Sequence, residues 1–332
     1  MSSSRELALL SVVAPVYQEE ATIDSFCAAV AEALSGLPYE LVLVDDGSTD
    51  QTPAKLEALA ARDRRIKTLL LSRNFGHQAA ITAGLDHAVG NVAVTLDSDL
   101  QDPPSLIPTL LERWRAGADV VYAVRRRRAG ESRFKLRSAR LFYRLFRLLT
   151  AVELEPNSGD FRLLDRRALE ALRAMGERSR FLRGMSIWVG FVQDSVAYDR
   201  DARYAGETKF TLGRMLRFSL DAIASFSYRP LQLATALGFL ISGVAFVAIP
   251  VVIVLKLTGN YLYGFSTVEI TILLLGGIQL ITIGMIGEYV GRIFDEVKGR
   301  PLYLVRSRTN FDGGGGPTSS YEQQAADFDA ER

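Results

Sequence analysis

The sequence lacks features that several classes of protein require. It contains a single cysteine, Cys27, which excludes an internal disulfide and fits a reducing compartment. Its 39 basic and 38 acidic side chains give a formal net charge of +1, so no overall electrostatic field favours a nucleic-acid partner. Residues 1–6 are polar, and we expect no signal peptide before the first apolar run. The informative features are therefore the local distributions of charge and hydrophobicity.

Charge is absent from two long stretches in the C-terminal part of the chain. Residues 231–255 and 270–287 contain no Asp, Glu, Lys or Arg. Helices of this length cross a bilayer core of about 30 Å, whereas buried helices of soluble proteins seldom lack a polar stripe over such a distance. We predict transmembrane helices at 230–257 and 268–291; the alternative is a pair of buried helices in a soluble protein.

Basic residues flank these apolar stretches unequally. Three arginines closely precede the first stretch and several Lys and Arg follow the second, whereas the loop between them, residues 256–267, holds only Lys256. Because cytoplasmic loops carry the excess of positive charge, both termini and the N-terminal domain are expected in the cytoplasm. The prediction is a two-span protein of the inner (plasma) membrane. Its cytoplasmic tail would comprise residues 292–332 and be disordered from about residue 312.

Residues 1–212 have the pattern of an α/β domain. Apolar strand-like runs at 7–14, 39–44 and 92–96 each end in a polar loop, and helix-like stretches separate them. That alternation indicates a parallel sheet, and such sheets bind ligands at the carboxyl ends of their strands. We therefore expect the loops after these runs to meet at one edge. The other predicted elements are helices at 22–34, 52–62, 78–88 and 105–116 and a strand at 119–124.

The loop after the third run is rich in acids. Asp97 and Asp99 stand two residues apart, so in extended backbone they point the same way, and Gln101 follows them. Two carboxylates with an amide beyond them suit Mg²⁺ or Mn²⁺ that shares its remaining positions with a diphosphate. An acidic surface turn is the alternative for an isolated Asp-x-Asp pair.

Two segments are predicted to be amphipathic helices beside a membrane. Over residues 133–150, apolar side chains fall mostly on one helical face and arginines on the other. Such a helix suits the headgroup plane of a bilayer with anionic lipids; the alternative is a helix packed on the protein with a solvated basic face. Residues 213–229, which lead into the first apolar stretch, are the second candidate.

Eight short motifs match one enzyme family in type and order. They lie at residues 14–20, 44–50, 73–80, 96–104, 159–162, 206–210, 287–289 and 298–301. Through them the chain resembles the family 2 glycosyltransferases with the GT-A fold. Within that family it is most similar to the polyprenyl-phosphate glycosyltransferases, the group of dolichol-phosphate mannose synthase and of bacterial undecaprenyl-phosphate glucosyltransferases. The resemblance covers roughly residues 8–305.

The resemblance implies a fold, a reaction and partners. The fold is a GT-A domain with a Rossmann-like, mostly parallel sheet, here followed by two transmembrane helices. The implied reaction is inverting and metal-dependent: one sugar passes from a nucleotide-sugar, by resemblance a UDP-hexose, to undecaprenyl phosphate, and a nucleoside diphosphate is released. The implied partners are the donor, the polyprenyl phosphate and membrane lipids, with no nucleic acid; a homo-oligomer is left open.

The motifs also imply site residues. The nucleotide-binding residues are Pro15, Tyr17, Glu19, Asp45, Asp46 and Asp97, and the metal ligands are Asp97, Asp99 and Gln101. The motifs also give Asp160 for catalysis and Lys209 for catalysis and the acceptor phosphate. Outside the motifs, charge alone assigns Arg125, Arg137 and Arg140 to the acceptor phosphate, and Arg125 to catalysis as well. His77, in another matched motif, is assigned a loop-shaping role.

The chemistry of the acceptor limits the need for a general base. A phosphate monoester has a second pKa near ~6 and is largely dianionic at neutral pH, so it scarcely needs deprotonation. A cationic cradle matters more, and arginine supplies one through bidentate contacts. Arg125, at the end of a predicted strand, is the best placed, although a solvated surface charge is the alternative. Asp160 matches a position often assigned as the base; it could instead orient the sugar.

Two other functions compete with this interpretation. A processive polysaccharide synthase resembles such a domain but carries a Gln-x-x-Arg-Trp motif and more membrane spans, and this sequence has neither. A non-catalytic membrane scaffold that keeps the fold is the second alternative. The presence of Asp97, Asp99, Gln101 and Lys209 argues against it.

Overall fold

A computed structural model describes residues 5–126, 158–199, 229–259 and 265–311. The predicted helix at 133–150, nearly all of the segment 213–229 and the tail beyond residue 311 lie outside these ranges. The chain divides into two compact units, one with the sheet and its helices and one with the two long apolar helices.

Strands and helices alternate through the first unit. Its elements are β1 (Leu10–Val16), α1 (Ile23–Ala33), β2 (Tyr39–Asp45), α2 (Thr52–Arg62), β3 (Ile66–Leu71), α3 (His77–His87), β4 (Val92–Thr95), α4 (Ile107–Arg115), β5 (Val120–Arg125), β6 (Ser158–Asp165), α5 (Arg166–Ala174), α6 (Leu182–Trp188) and β7 (Gln193–Tyr198). The second unit contributes α7 (Arg229–Leu257) and α8 (Phe265–Val297). The last strand, β8 (Val305–Thr309), belongs to the first unit again.

The strands form one eight-stranded sheet in the order β7-β5-β6-β4-β1-β2-β3-β8. β1 pairs in parallel with β2 and β4, β2 with β3, and β5 with β7, whereas β6 and β8 run antiparallel to their neighbours. β1 and β2 are buried along their whole length, as expected for unbroken apolar strands in a parallel sheet. The predicted α/β class with a mostly parallel sheet is confirmed.

The helices cover the sheet through apolar faces. In α4 the buried residues Ile107, Leu110, Leu111 and Trp114 follow helical spacing and therefore share one face. The Trp114 indole N–H donates a hydrogen bond of 2.7 Å to Asp165 Oδ2, so its one polar atom is satisfied in the core. This packing gives the sheet a rigid base for the loops at its carboxyl edge.

The chain returns to the sheet after α8, a feature that the sequence analysis did not predict. β8 pairs antiparallel with β3, and side chains anchor both ends of the segment. The Tyr303 hydroxyl donates to Asp86 Oδ2 at 2.9 Å. The Asn310 amide donates to the carbonyls of Ala60 and Ile66 at 2.7 and 2.8 Å. Residues 301–311 are therefore part of the first unit and close the edge at β3.

The second unit consists of helices that are candidates for membrane spans. The windows Ala234–Leu255 and Leu274–Val297 have mean hydropathies of 2.7 and 1.4, and both are long and apolar enough to cross a membrane by length and composition. Phe239, Phe246 and Leu280 are among their many exposed apolar side chains. The predicted presence of two apolar C-terminal helices is confirmed, whereas the domain boundaries stay predictions.

Candidate active site

The loops after β1, β2 and β4 meet at the carboxyl edge of the sheet. The Ser98 hydroxyl donates to the Pro15 carbonyl oxygen at 2.9 Å, which joins the β4 loop to β1. The Gln18 N–H donates to the Ser48 hydroxyl at 2.9 Å, which joins the β1 loop to the β2 loop. These bonds place the three acidic loops side by side.

A histidine stands between two acids of this edge. His77, the first residue of α3, has its Nε2 atom 3.4 Å from Asp97 Oδ1 and 3.5 Å from Asp160 Oδ2. Burial disfavours the charged ring, but hydrogen bonding to Asp160 and the charge of Asp97 raise the pKa of His77 above its ordinary value. The imidazole is therefore biased toward the cation, which holds the two carboxylates together.

Asp97 has the properties of a cation ligand. Its Oδ1 atom is buried and accepts no hydrogen bond from the described residues. Burial raises the pKa of Asp97 to about 6; His77 opposes the rise, and Asp160, Asp102 and Asp99 add to it. A desolvated carboxylate among other acids is stabilised by a bound cation, which would also bind the oxygen that accepts no hydrogen bond from the described residues and lies 3.4 Å from the His77 ring.

The three metal candidates share one short loop. The Gln101 N–H donates to Asp99 Oδ1 at 3.1 Å, and Gln101 itself is buried. Within the described ranges, no group of three or more His, Cys, Asp or Glu could hold a metal ion alone. Mg²⁺ or Mn²⁺ at Asp97 and Asp99 would therefore need oxygen ligands from water or phosphate. The residues fit an ion shared with a diphosphate better than an ion enclosed by the protein.

Asp160 is an ion-paired carboxylate. Arg183 donates from Nε and Nη2 to its two oxygens at 3.0 Å each, and the Gln78 amide lies 3.4 Å away. Burial by itself raises the pKa of Asp160, but the hydrogen bond with His77 and the charge of Arg183 hold it well below the ordinary value. Such a carboxylate keeps its charge and is a weak base, so the geometry favours orientation over proton abstraction.

A buried arginine depends on the same acid. Arg162 donates to the Gly159 and Leu182 carbonyls at 2.8 and 3.1 Å and to the Ser186 hydroxyl. Its guanidinium lies 3.8 Å from Asp160 Oδ1. Burial lowers the pKa of Arg162 to about 10, and Asp160 opposes that shift. Asp160 therefore balances charge in the core as well as facing the site.

Arg125, the predicted phosphate ligand, is held at the end of β5 by two partners. Its Nη2 atom is 3.1 Å from Asp102 Oδ2, and its Nε donates to the Tyr198 hydroxyl at 3.1 Å. Tyr198 in turn donates to Asp102 Oδ1 at 2.5 Å. Burial disfavours the charge, yet Asp102 and Tyr198 raise the pKa of Arg125 above its ordinary value. The Arg125 side chain is 27% exposed, so it presents a permanent charge at the surface of the site.

Two neighbouring acids after β2 have different partners. Asp46 accepts hydrogen bonds from the N–H groups of Phe75 and Gly76 at 2.7 and 2.9 Å. It thereby fixes the loop that leads into His77. Asp45 is buried and accepts from the Ser48 N–H at 3.1 Å within its own loop. Burial raises the pKa of both acids, and these hydrogen bonds oppose the rise.

The remaining nucleotide candidates lie after or within β1. Pro15 is buried in the strand, and Tyr17 is 46% exposed. Glu19 accepts a hydrogen bond from the Thr22 hydroxyl, and its N–H donates to the Thr52 hydroxyl at 3.0 Å. The structure thus brings Pro15, Tyr17, Glu19, Asp45, Asp46, Asp97, Asp99, Gln101, Arg125 and Asp160 to loops or strand ends of one unit. Arg137, Arg140 and Lys209 lie outside the described residues.

Several site residues were missed by the sequence analysis. Asp102 and Tyr198 hold Arg125, and Gln78 and Arg183 hold Asp160. Asp102 stood in the same acidic run as the metal candidates, and Gln78 follows His77 in a matched motif. Arg183 and Tyr198 had no such signal, because only the fold brings them to these acids.

Comparison with known proteins assigns the chain to a family. Residues 11–173 match the family described as Glycosyl transferase family 2. The chain is 46% identical to the uncharacterized glycosyltransferase YkcC of Bacillus subtilis, over 89% of this chain and 93% of that protein. It is 41% identical to the bactoprenol glucosyl transferase of Shigella phage SfX, over 90% of this chain and 99% of that protein.

The chain also resembles a solved structure of glucosyl-3-phosphoglycerate synthase of Mycobacterium tuberculosis, with a TM-score of 0.46 and 23% sequence identity. That structure is a complex with Mn²⁺, uridine diphosphate and phosphoglyceric acid. The similarity covers 65% of this chain and 76% of that chain. The identities to the Bacillus and Shigella phage proteins extend over nearly their full lengths and agree with the family match. The chain belongs to glycosyl transferase family 2 and is a glycosyltransferase.

Proposed function

We propose that the protein transfers one sugar from a nucleotide-sugar, a UDP-hexose, to a membrane polyprenyl phosphate such as undecaprenyl phosphate. One observation carries the proposal: the buried Asp97 oxygen that accepts no hydrogen bond from the described residues and the held guanidinium of Arg125 belong to the loops and strand ends of one sheet edge. The first suits a donor diphosphate with its metal ion, and the second suits an acceptor phosphate. The bactoprenol glucosyl transferase relative supports the same acceptor class.

The donor half of the site follows from the acidic loops. Asp97 and Asp99, with Gln101 in the same loop, would hold Mg²⁺ or Mn²⁺, which when bound would neutralise the departing nucleoside diphosphate. Pro15, Tyr17, Glu19, Asp45 and Asp46 are proposed to contact the nucleoside. Asp46 contributes indirectly, because its carboxylate is occupied by the loop before His77.

The acceptor half depends on fixed positive charge. Arg125 would bind an oxygen of the lipid phosphate, and Asp102 and Tyr198 keep its guanidinium in place. Arg137, Arg140 and Lys209 are proposed as further phosphate ligands. The phosphate is largely dianionic at neutral pH, so it can attack the anomeric carbon without a strong base. Asp160, paired with Arg183, would orient the sugar, and a single displacement would invert the anomeric configuration.

We also propose that α7 and α8 span the inner membrane with the catalytic domain and both termini in the cytoplasm. Anchoring in the membrane by these two helices would keep the enzyme where its lipid acceptor is concentrated. The proposed division keeps residues 1–212 as the catalytic domain and 213–229 as a juxtamembrane helix. Of the predicted tail at 292–332, residues 292–297 belong to α8 and residues 301–311 to the first unit. We also propose that residues 133–150 form an amphipathic helix at the membrane interface. Whether the protein forms a homo-oligomer is left open.

A donor panel tests the function. The full-length protein in bilayers is mixed with UDP-hexoses and other nucleotide-sugars, undecaprenyl phosphate and Mn²⁺ or Mg²⁺. Mass spectrometry of the lipid should show addition of one sugar, with matching release of nucleoside diphosphate, and NMR of an α-linked donor's product should show a β-linkage. Absence of release would indicate a scaffold, and longer glycan chains would indicate a polysaccharide synthase.

A further inference from the structure

The strand that follows the second apolar helix reaches the row of residues that contains Asp45. In the sheet register, Asp45 of β2 is paired with Leu70 of β3, and Leu70 is paired with Ser307 of β8. The three residues therefore lie across neighbouring strands at the carboxyl end of β2 and β3. Two strand spacings amount to about 10 Å, a separation that a long side chain can shorten.

A bulge places an arginine next to this row. The pairing changes from Leu70 with Ser307 to Leu71 with Val305, so Arg306 is the extra residue on β8. Bulges re-aim side chains and occur beside active sites more often than elsewhere. Arg306 is exposed, and no described residue forms an ion pair with it. The irregularity thus places an exposed cation at the edge where the acidic loops meet.

Electrostatics agrees with that placement. Burial raises the pKa of Asp45, hydrogen bonds from Ser48 oppose the rise, and the charge of Arg306 opposes it as well. Arg306 is therefore within electrostatic reach of a proposed nucleotide-binding acid. Arg73, another cation near these loops, donates to the Asn74 carbonyl and stacks over Phe75 at 4.2 Å, so its own loop engages it.

Arg306 would reduce the electrostatic repulsion between the donor and the acids of its proposed site. A nucleoside diphosphate is an anion, and its proposed position is lined by Asp45, Asp46 and Asp97. On the β6 side of the edge, the guanidinium of Arg183 is paired with Asp160, and Arg125, paired with Asp102, is assigned to the acceptor phosphate. Arg306 supplies positive charge on the β2–β3 side, where the nucleoside candidates lie.

We propose that Arg306 is a nucleotide-binding residue, so that residues 301–311 form part of the donor site. This inference rests on the proposed function, because it needs a nucleotide-sugar donor at the acidic edge. The guanidinium balances Asp45 and attracts the nucleoside diphosphate. It follows that donor binding and docking of β8 on β3 stabilise each other. The segment directly follows α8 in the chain, so the donor site includes residues attached to a candidate membrane helix.

Binding of uridine diphosphate with Mn²⁺ to the full-length protein tests this inference. Arg308 is the matched control, since it is an exposed arginine of β8 paired with Leu69, about 7 Å further from the carboxyl edge than Arg306. Arg306→Ala should weaken binding about tenfold, the loss expected for one exposed charge-assisted hydrogen bond. Arg308→Ala should bind like the wild type, and Arg306→Lys should recover part of the loss.

Kinetics and hydrogen exchange separate binding from a structural effect. Arg306→Ala should raise KM for the donor and leave kcat and the acceptor KM close to wild type. Amides of residues 305–309 should be as protected in the ligand-free variant as in the wild type, and uridine diphosphate should increase protection only when Arg306 is present. Equal binding by wild type, Arg306→Ala and Arg308→Ala would overturn the inference while leaving the proposed function intact. Failure of the wild type to bind any nucleoside diphosphate would overturn both.

Discussion

Arg183 binds Asp160 through both carboxylate oxygens, with Nε–Oδ1 and Nη2–Oδ2 distances of 3.0 Å. The same carboxylate is the charge partner of Arg162, whose guanidinium is buried 3.8 Å away. An acid fixed by two guanidinium groups accepts a proton poorly. Removing its charge should therefore affect the fold as well as the reaction, which distinguishes it from an isolated catalytic base.

Asp160→Asn is expected to lower both activity and stability. The substitution leaves the Arg162 charge buried without its partner, and loss of one member of a buried pair costs about 3 kcal/mol. Arg183→Gln should cost less, because the Arg183 side chain is 32% exposed and can be solvated. Thermal and urea unfolding of the full-length protein would measure both changes.

The control for this pair is an ion pair at the surface. Asp194→Asn breaks the exposed contact between Asp194 and Arg113 at 3.5 Å and should change the free energy of unfolding by less than about 1 kcal/mol. If Asp160→Asn lost turnover but unfolded like the wild type, Asp160 would act only on the substrate and would have no structural role.

Asp97→Asn is expected to remove metal-dependent stabilisation. Manganese and uridine diphosphate together should raise the melting temperature of the wild type by mass action and leave that of the variant unchanged. The raised pKa of Asp97, about 6, means that its ionised form opposes folding above that pH. Without ligands at pH 7, the variant should therefore be at least as stable as the wild type.

Activity gives the second readout for Asp97. Asp97→Asn and Asp99→Asn should each lose most glycosyl transfer, since each removes one carboxylate of the proposed ion site. Full turnover by either variant with a chelator present would contradict the metal interpretation. Measured with the same donor and acceptor, wild-type protein should lose turnover on chelation and regain it when Mn²⁺ or Mg²⁺ is restored.

Gly159→Ala is expected to displace Arg125. A Cβ atom at Gly159 would lie 2.8 Å from Arg125 Nη2, so the guanidinium would have to move away from Asp102. Steady-state kinetics should show about a tenfold loss in kcat/KM, the size expected when a charge-assisted contact is misplaced. Gly176→Ala is the control, because a Cβ at Gly176 meets no atom within 4 Å. Equal rates for the two variants would remove Arg125 from the site.

The sequence predicted the acidic edge well because a single pattern encodes it. Strands that are buried on both faces have unbroken apolar sequences. The loops that follow parallel strands all lie at the carboxyl edge of the sheet. The predicted helix at 52–62 agrees with α2, and the predicted strand at 39–44 differs from β2 by one residue. The first predicted strand, 7–14, begins early because Leu7 is apolar but precedes β1.

Antiparallel strands and distant side-chain partners were not predictable in the same way. β6 and β8 pair with strands that lie far away in sequence, so no local periodicity reveals their place. The hydrogen bond from Tyr198 to Asp102 joins residues 96 positions apart in the sequence, and that from Arg183 to Asp160 joins residues 23 positions apart. Such contacts depend on strand order, which a one-dimensional pattern does not specify. The residues that position the site were therefore missed more often than those proposed to touch ligands.

Asp46→Asn is expected to loosen the loop that carries His77. Both Asp46 oxygens accept backbone N–H groups, from Phe75 and Gly76, and an asparagine amide nitrogen cannot accept the second bond. The cost should be about 1–3 kcal/mol of stability for the unsatisfied group. Hydrogen exchange should show faster exchange at residues 75–77, with a smaller change for Asp45→Asn. Identical exchange in both variants would refute the positioning role.

The last prediction concerns topology and uses the single cysteine. Burial raises the pKa of the Cys27 thiol to about 12, so a maleimide reagent should not modify Cys27 in the folded protein at pH 7–8. Any maleimide labelling of the folded protein then reports only on cysteines that have been introduced by substitution. Thr258→Cys lies at the end of α7, and Ser307→Cys lies on β8; both positions are exposed.

With both termini in the cytoplasm, a membrane-impermeant maleimide applied to the outer face should label Thr258→Cys in intact spheroplasts. Ser307→Cys should be labelled only after the membrane is opened. The unmodified protein should react only after denaturation, which confirms that Cys27 contributes no signal. The reverse labelling pattern would place the catalytic domain outside the membrane. Labelling of both cysteines in intact spheroplasts would show that α7 and α8 do not form a pair of spans.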